Sequence, residues 1–339
     1  MRASGVAPVA GNLRVSEAGF IGQQAAWSDW MAALASERMH HAWLLAGAKG
    51  LGKGGFARAA AAELVGMALS GNSEPTTHPD IHILDHLPAN DDEAKKKAEG
   101  KPYQTKRNIT VEQVRGMIRR LATKPTMGTR RAIIVDPADD LEKGAVNALL
   151  KALEEPPAGT YFLLVTHQPG RLLPTIRSRC RVLRFAPLAA SDLDAVLRRD
   201  FPQASGALRD AAIAAAHGSP GVALAFVEHD LATIHDLMQR ILGAGDPEFR
   251  LRGSLAEAMG ARPSRDRQTA VLELARASLA QSLASVDPAR QAHLIEAHAA
   301  LTKLSAQAPT YNFDPGVLIM EIGGLLASAA APRARARPN

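Results

Sequence analysis

Between residues 40 and 185, five short runs rich in apolar and β-branched residues stand out: AWLLAG (42–47), DIHIL (80–84), RRAIIVD (130–136), TYFLLVT (160–166) and RVLRF (181–185). Helical patterns separate them, and this alternation predicts a parallel sheet with helices on both faces. Helix starts are marked by Lys53 after a glycine loop, by Thr110 with Gln113 in capping-box spacing, and by Asn147 opening NALLKALEE, which Pro156-Pro157 then ends. After Pro187 the β-branched runs stop. SDLDAVLRRDF, ALRDAAIAAAH, ALAFVEHDLATIHDLMQRIL, QTAVLELARASLAQSL, ARQAHLIEAHAALTKLSAQ and GVLIMEIGGLLASA all read as amphipathic helices. An α/β part over 20–186 is therefore followed by a helical part, which Gly-Ala-Gly-Asp-Pro at 243–247 divides into 187–246 and 247–331. The first 19 residues read as a flexible arm and 332–339 as a basic, proline-broken tail. The stretch 86–108 (HLPANDDEAKKKAEGKPYQTKRN) sets acidic beside basic blocks with almost nothing apolar to bury, which predicts a mobile insertion.

Composition narrows the class. With 339 residues, 46% hydrophobic and 22% charged, the chain has the make-up of an ordinary globular protein of two or three domains. Its one cysteine, Cys180, cannot close an internal disulfide or build a multi-cysteine zinc site, which fits a reducing cytoplasm. The first twenty residues lack the apolar run of a signal peptide, and no stretch of about 18 apolar residues would span a bilayer. A formal net charge of +6 biases the chain mildly toward anionic partners.

The candidate chemistry begins at GAKGLGK, Gly47 to Lys53, which also contains Gly50 and Gly52. It follows a predicted strand and opens a predicted helix, the setting of a phosphate-cradling loop, in which backbone amides face the anion and Lys53 reaches its outer phosphates. The next residue should offer a hydroxyl to Mg²⁺, but it is Gly54. The run RRAIIVD ends in Asp136, where such an ATPase holds its metal. The following position, which in an active enzyme is a glutamate polarising water, is Pro137. Asp139 and Asp140 then lie at a predicted helix N-terminus, where a dipole interaction accounts for them. Metal coordination and water activation are separate roles, and both are missing. Two readings of the loop stay open: weak nucleotide binding, or a tight strand-to-helix turn kept for the fold alone. His78, His82 and His86 recur at four-residue spacing, yet they fall across a strand and a loop, so no metal site is expected of them.

Taken in order, IGQQAAWSDWMAALASERMHHAWLLAGAKGLGK, RRAIIVDPADDLEKGAVNALLKALEEPP, TYFLLVTHQPGRLLPTIRSRC and HGSPGVAL resemble the clamp-loader branch of the AAA+ ATPases. That resemblance implies an α/β P-loop domain, a small helical lid and an all-α collar that joins subunits into a ring. It implies as partners the ATP-binding gamma/tau-type subunits and delta in a heteropentamer, which acts on a sliding clamp and primed DNA; no membrane is involved. Ser178-Arg179-Cys180 matches the family's SRC motif, so Arg179 is the candidate arginine finger, directed at ATP held by a neighbouring subunit. Gly221 stands where ATP-binding relatives carry an arginine in the lid, and Thr166-His167 where they carry a polar sensor, often Asn. The segment before His78 lacks the four-cysteine zinc module of many relatives, so no zinc is expected and no cofactor is required. The expected function is a non-hydrolysing loader subunit. An ATP-hydrolysing subunit of the same branch or a related DNA motor is the enzymatic alternative. A DNA-binding adaptor using the basic segment 115–120, the basic segment 171–184 and the tail is the third.

Overall fold

The computed structural model describes residues 20–67, 78–101, 103–283, 288–308 and 313–330. The expected N-terminal arm, the basic tail and most of the segment before His78 lie outside them. The chain divides into two compact units, up to Asp192 and from Leu193 onward.

In chain order the first unit contains α1 (Gln24–Leu34), β1 (Ala42–Ala46), α2 (Lys53–Leu64), β2 (Ile81–Leu84), α3 (Asp91–Ala98), α4 (Val111–Leu121), β3 (Arg131–Val135), α5 (Lys143–Glu154), β4 (Thr160–Thr166), α6 (Pro174–Arg177) and β5 (Arg181–Arg184). The five predicted strands form one parallel sheet in the order β2-β3-β4-β1-β5. β1 and β3 are buried along their whole length, as suits strands covered on both faces. At the edge, β5 turns Arg181 and Arg184 outward, which keeps the strand from pairing further.

The two faces are packed differently. On one, α4 and α5 cover Leu44, Ile133, Val135, Phe162 and Leu164 with Val114, Met117, Leu149 and Leu153. On the other, α2 carries Ala57 and Ala59–Ala62, all buried, and these small side chains bring its backbone close to β1, β3 and β4. Rings fill the rest of that layer: Phe56 lies 5.2 Å from Phe20, 5.4 Å from Trp27 and 5.0 Å from Phe185. Such edge and tilted contacts each add about 0.5–1.5 kcal/mol beyond area burial.

Helix boundaries follow local chemistry. The capping box of α4 is present: Gln113 N–H donates to Thr110 Oγ1, and Thr110 N–H to Gln113 Oε1. α5, expected from Asn147, starts earlier at Lys143; its N-cap Glu142 makes no side-chain cap bond and instead accepts from Val111 N–H of α4, so no local cap signals that start. The stretch 86–108, expected as a mobile insertion, instead contains a capped helix. Asn90 accepts from Glu93 N–H, and the buried Glu93 carboxylate takes Gln104 N–H at 2.6 Å and Lys96 at 2.7 Å. Backbone bonds Ala89 N–H to Gln104 O and Lys106 N–H to Leu87 O close its base. Its interior is polar, so no apolar pattern in the sequence marks it.

The second unit contains α8 (Gly206–Ala216), α9 (Pro220–Glu228), α10 (Ala232–Ala244), α11 (Arg250–Met259), α12 (Arg265–Leu283), α13 (Pro288–Gln307) and α14 (Pro315–Ser328), preceded by α7 (Ala190–Asp200), which spans the division. The single helical pattern expected over 223–242 is two helices. Leu231 N–H bonds back to Phe226 O and Asp230 N–H to Val227 O, with Asp230 in the left-handed conformation, φ 47°. Helices on either side of 243–247 pack together, α10 meeting α11, α12 and α14.

A buried carboxylate pins the start of β2. Asp80, 2% exposed, accepts Thr126 N–H at 2.6 Å and Met127 N–H at 2.8 Å. Burial alone would push its carboxyl up, but these two donors outweigh burial and hold it below the usual carboxylate range. Asp80→Ala leaves both amides unpaired and is expected to cost about 1–3 kcal/mol in urea unfolding near neutral pH. A carboxyl with a depressed folded pKa stabilises above its unfolded value and loses that contribution as pH falls through the folded value. The gap between parent and variant should therefore close below about pH 4.

Candidate functional site

The glycine loop joins β1 to α2 as the sequence implies, and each glycine has a reason. A Cβ at Gly47 would stand 2.6 Å from Phe185 O. Gly50 and Gly52 have φ of 84° and 80°, a region that favours glycine, and Gly52 precedes α2 directly. Lys53 does not reach outward. Its ammonium donates to Gly47 O at 2.8 Å and Ala48 O at 2.5 Å, and the residue is 2% exposed. Burial lowers its pKa to about 8, with the charges of Asp136 and Asp139 opposing the shift.

Asp136 directly follows β3 and lies beside the first turn of α2. A Cβ at Gly54 would lie 2.4 Å from Asp136 Oδ2, so the carboxylate occupies the room that a serine or threonine at position 54 would need. Arg58 Nη1 faces the same oxygen at 3.4 Å, and burial raises the Asp136 pKa while Arg58 works against it. Position 54 thus lacks a hydroxyl and Asp136 already faces a guanidinium, so these residues do not fit a bound divalent metal. Arg58 was not singled out from sequence. The available signal was its i+4 spacing from Gly54, which puts both on one helix face.

Asp139 is more than a helix-start charge. Its carboxylate accepts Thr166 Oγ1–H at 2.8 Å, His167 N–H at 2.6 Å and Gln168 N–H at 3.1 Å, tying the turn after β3 to the end of β4. Thr166 and His167, the sensor positions, are fixed by this carboxylate. His167 Nδ1 is buried with no hydrogen-bond partner among the described residues. Burial, then the Lys53 charge, lowers the His167 pKa to about 4, so the ring is neutral at physiological pH. Asp140 faces His86 at 3.1 Å, while His78 Nδ1 accepts Asp80 N–H. Among the described residues no group of three or more His, Cys, Asp or Glu is placed to hold a metal ion.

The Ser178-Arg179-Cys180 segment follows α6. Ser178 Oγ–H donates to Thr175 O, and Arg179 Nη1 donates to Thr175 O at 3.0 Å. Arg179 Nη2 lies 2.7 Å from Glu154 Oε1 at the end of α5, and both side chains are open to solvent at 35% and 48%. Glu154 too was missed, because only tertiary packing of α5 on α6 brings it there. Cys180 packs on the apolar cluster under α5, and burial pushes its thiol up to about 12, which leaves it a small core residue and no nucleophile. Gly221 lies in the first turn of α9, after the cap Ser219.

Residues 22–189 match the family model for DNA polymerase III, delta subunit. The chain is 34% identical over 212 residues to DNA polymerase III subunit delta' of Pseudomonas aeruginosa, covering 58% of each protein. It is 31% identical over 223 residues to the Escherichia coli subunit delta', covering 60% of this chain and 62% of that one. The aligned part is thus less than two thirds of either relative. Among solved structures, the Thermotoga maritima RuvB Holliday junction branch migration motor has 18% identity, a TM-score of 0.48 and 90% of each chain covered. A gamma subunit-related protein from the same organism has 16% identity and a TM-score of 0.48, over 89% of this chain and 98% of that one.

Two substitutions probe the loop. Gly54→Ser restores a hydroxyl but must displace the Asp136 carboxylate, and is expected to lower stability by about 1–3 kcal/mol in thermal or urea unfolding. Lys53→Met isolates the lysine. The folded pKa of Lys53 lies below its unfolded value of 10.5, so between about pH 8 and 10.5 the unfolded state binds more protons and the parent should gain stability relative to the variant as pH rises. The gain approaches ~3 kcal/mol; a difference that stays flat across this window contradicts the burial of a chargeable ammonium.

Proposed function

We propose that this chain, whose residues 22–189 match the family model for DNA polymerase III, delta subunit, serves as a clamp-loader subunit of the delta prime kind. It hydrolyses no ATP itself and lends Arg179 to the ATP site of a neighbouring subunit. Its partners are the ATP-binding gamma/tau-type subunits and delta in a heteropentamer, with the sliding clamp and primed DNA met through the assembled ring in the cytoplasm. The C-terminal helices supply the ring contacts. No zinc or other cofactor is needed by this chain.

The observation that carries the reading is the contrast between two arginines. Arg58 faces Asp136 inside the loop site, whereas Arg179 sits at the surface behind an exposed ion pair with Glu154. Exposed pairs are worth about 0–1 kcal/mol, so Arg179 can leave Glu154 for phosphate oxygens at little cost. Its planar, permanently charged fork can meet two such oxygens at once and offset charge developing on the γ-phosphate. Among the described residues of the loop site no group matches it in cis: Lys53 bonds to its own loop, Gly54 offers no metal ligand, and Pro137 cannot accept a proton from water.

The test is reconstitution of the loader from separate subunits. Arg179→Ala should leave assembly intact and reduce DNA-stimulated ATP turnover at the affected site, where such an arginine contributes about 10³- to 10⁵-fold in related enzymes. Normal turnover in an intact assembly removes the finger assignment. ATP hydrolysis by the isolated chain, abolished by Lys53→Ala, returns the enzymatic alternative.

A further inference from the structure

Position 54 is where this loop departs furthest from a metal-binding arrangement, and an acid and a base of the chain itself meet beside it. With no side chain on Gly54, the Asp136 carboxylate comes so near the α2 backbone that a Cβ there would lie 2.4 Å from Oδ2 and 3.1 Å from Arg58 Nη1. Arg58, one helical turn further on, reaches that same Oδ2 at 3.4 Å, with both side chains only about a fifth exposed, at 22% and 20%. Asp85 adds a second negative charge nearby. A partly buried carboxylate with another acid beside it needs a compensating cation. In a nucleotide-dependent ATPase that cation is exchangeable and arrives with the ligand; a guanidinium, by contrast, is covalently attached and always charged.

We infer that Arg58 does the work of the divalent cation from within the chain: it neutralises Asp136, fills the space beside Gly54, and excludes a metal ion from that carboxylate. Lys53 complements it on the other side of the loop by donating to Gly47 O and Ala48 O, carbonyls of the loop itself. The site is thereby closed by its own side chains and its order does not depend on a ligand. This rests on reading the loop as one without chemistry of its own, but it fails separately. ATP hydrolysis by the lone chain defeats that reading, whereas the behaviour of Arg58 variants toward a metal decides this one.

The experiment titrates the full-length protein with Mn²⁺, following the free ion by electron paramagnetic resonance and the melting midpoint in parallel. Parent, Arg58→Ala, Arg58→Gln and the double variant Arg58→Ala/Asp136→Asn are compared. Arg58→Ala is expected to melt below the parent, to bind Mn²⁺ about tenfold or more tightly than the parent does, and to recover part of its lost midpoint when the ion is added. The double variant should lose both the tighter binding and the recovery. If Arg58→Ala does not fold, Arg58→Gln, which keeps a polar side chain without the charge, is read by the same criteria. Binding of Mn²⁺ by the soluble Arg58 variant no tighter than by the parent overturns the inference, and so does equal binding by the single and double variants.

Discussion

The loop site is governed by how close the carboxylate of Asp136 comes to the backbone of α2. That approach is possible only because position 54 carries no side chain, and it is tolerable only because Arg58 faces the carboxylate. Each condition requires the other. A larger residue at 54 would push the carboxylate away from its counter-charge, and a neutral residue at 58 would leave an acid near Asp85 with only the more distant Lys53 charge to offset it.

The rest of the α/β unit holds this arrangement in place. Buried alanines let α2 lie close over β1, β3 and β4, so the first turn of the helix falls beside the end of β3 instead of a side chain's length away. Phe56, between Gly54 and Arg58 on the same helix, is locked among Phe20, Trp27 and Phe185, which fixes the rotation of α2 about its axis. Asp139 performs the corresponding task on the sheet side. By accepting from Thr166 and from the amides of His167 and Gln168, it clamps the ends of β3 and β4 at one level. A dense apolar layer and a few fully used carboxylates therefore set the site's geometry together.

What the sequence made legible was whatever depends on short-range pattern. All five strands appear where apolar runs predicted them, and the glycine loop, the Thr110–Gln113 box and the stop at Pro156-Pro157 need only neighbours in the chain. What escaped depends on partners distant in sequence or on polar interiors. The α9–α10 break uses Asp230 in a position where glycine would have given it away. The start of α11 is fixed by the buried carboxylate of Asp246, which accepts from Leu251 N–H and Arg252 N–H and carries no local helix signature. The segment around α3 is organised by the single buried acid Glu93. In the site, Lys53 and Asp136 are legible as motif positions, but their partners are not, since the Gly47 and Ala48 carbonyls and the Arg58 guanidinium meet them only in the folded chain.

The two arginines illustrate what exposure does to an ion pair. At Arg58 and Asp136 solvent is largely excluded, so separating the charges would leave a poorly hydrated acid, and the pair behaves as part of the scaffold. At Arg179 and Glu154 water reaches both groups, screens them, and would rehydrate either on separation, so parting them costs little. Arg179 also donates to Thr175 O within its own short turn, so its second anchor is local and lies outside any strand. The same residue type thus makes a shielded ion pair in one place and an exposed one in the other, and solvent access decides how costly each is to part.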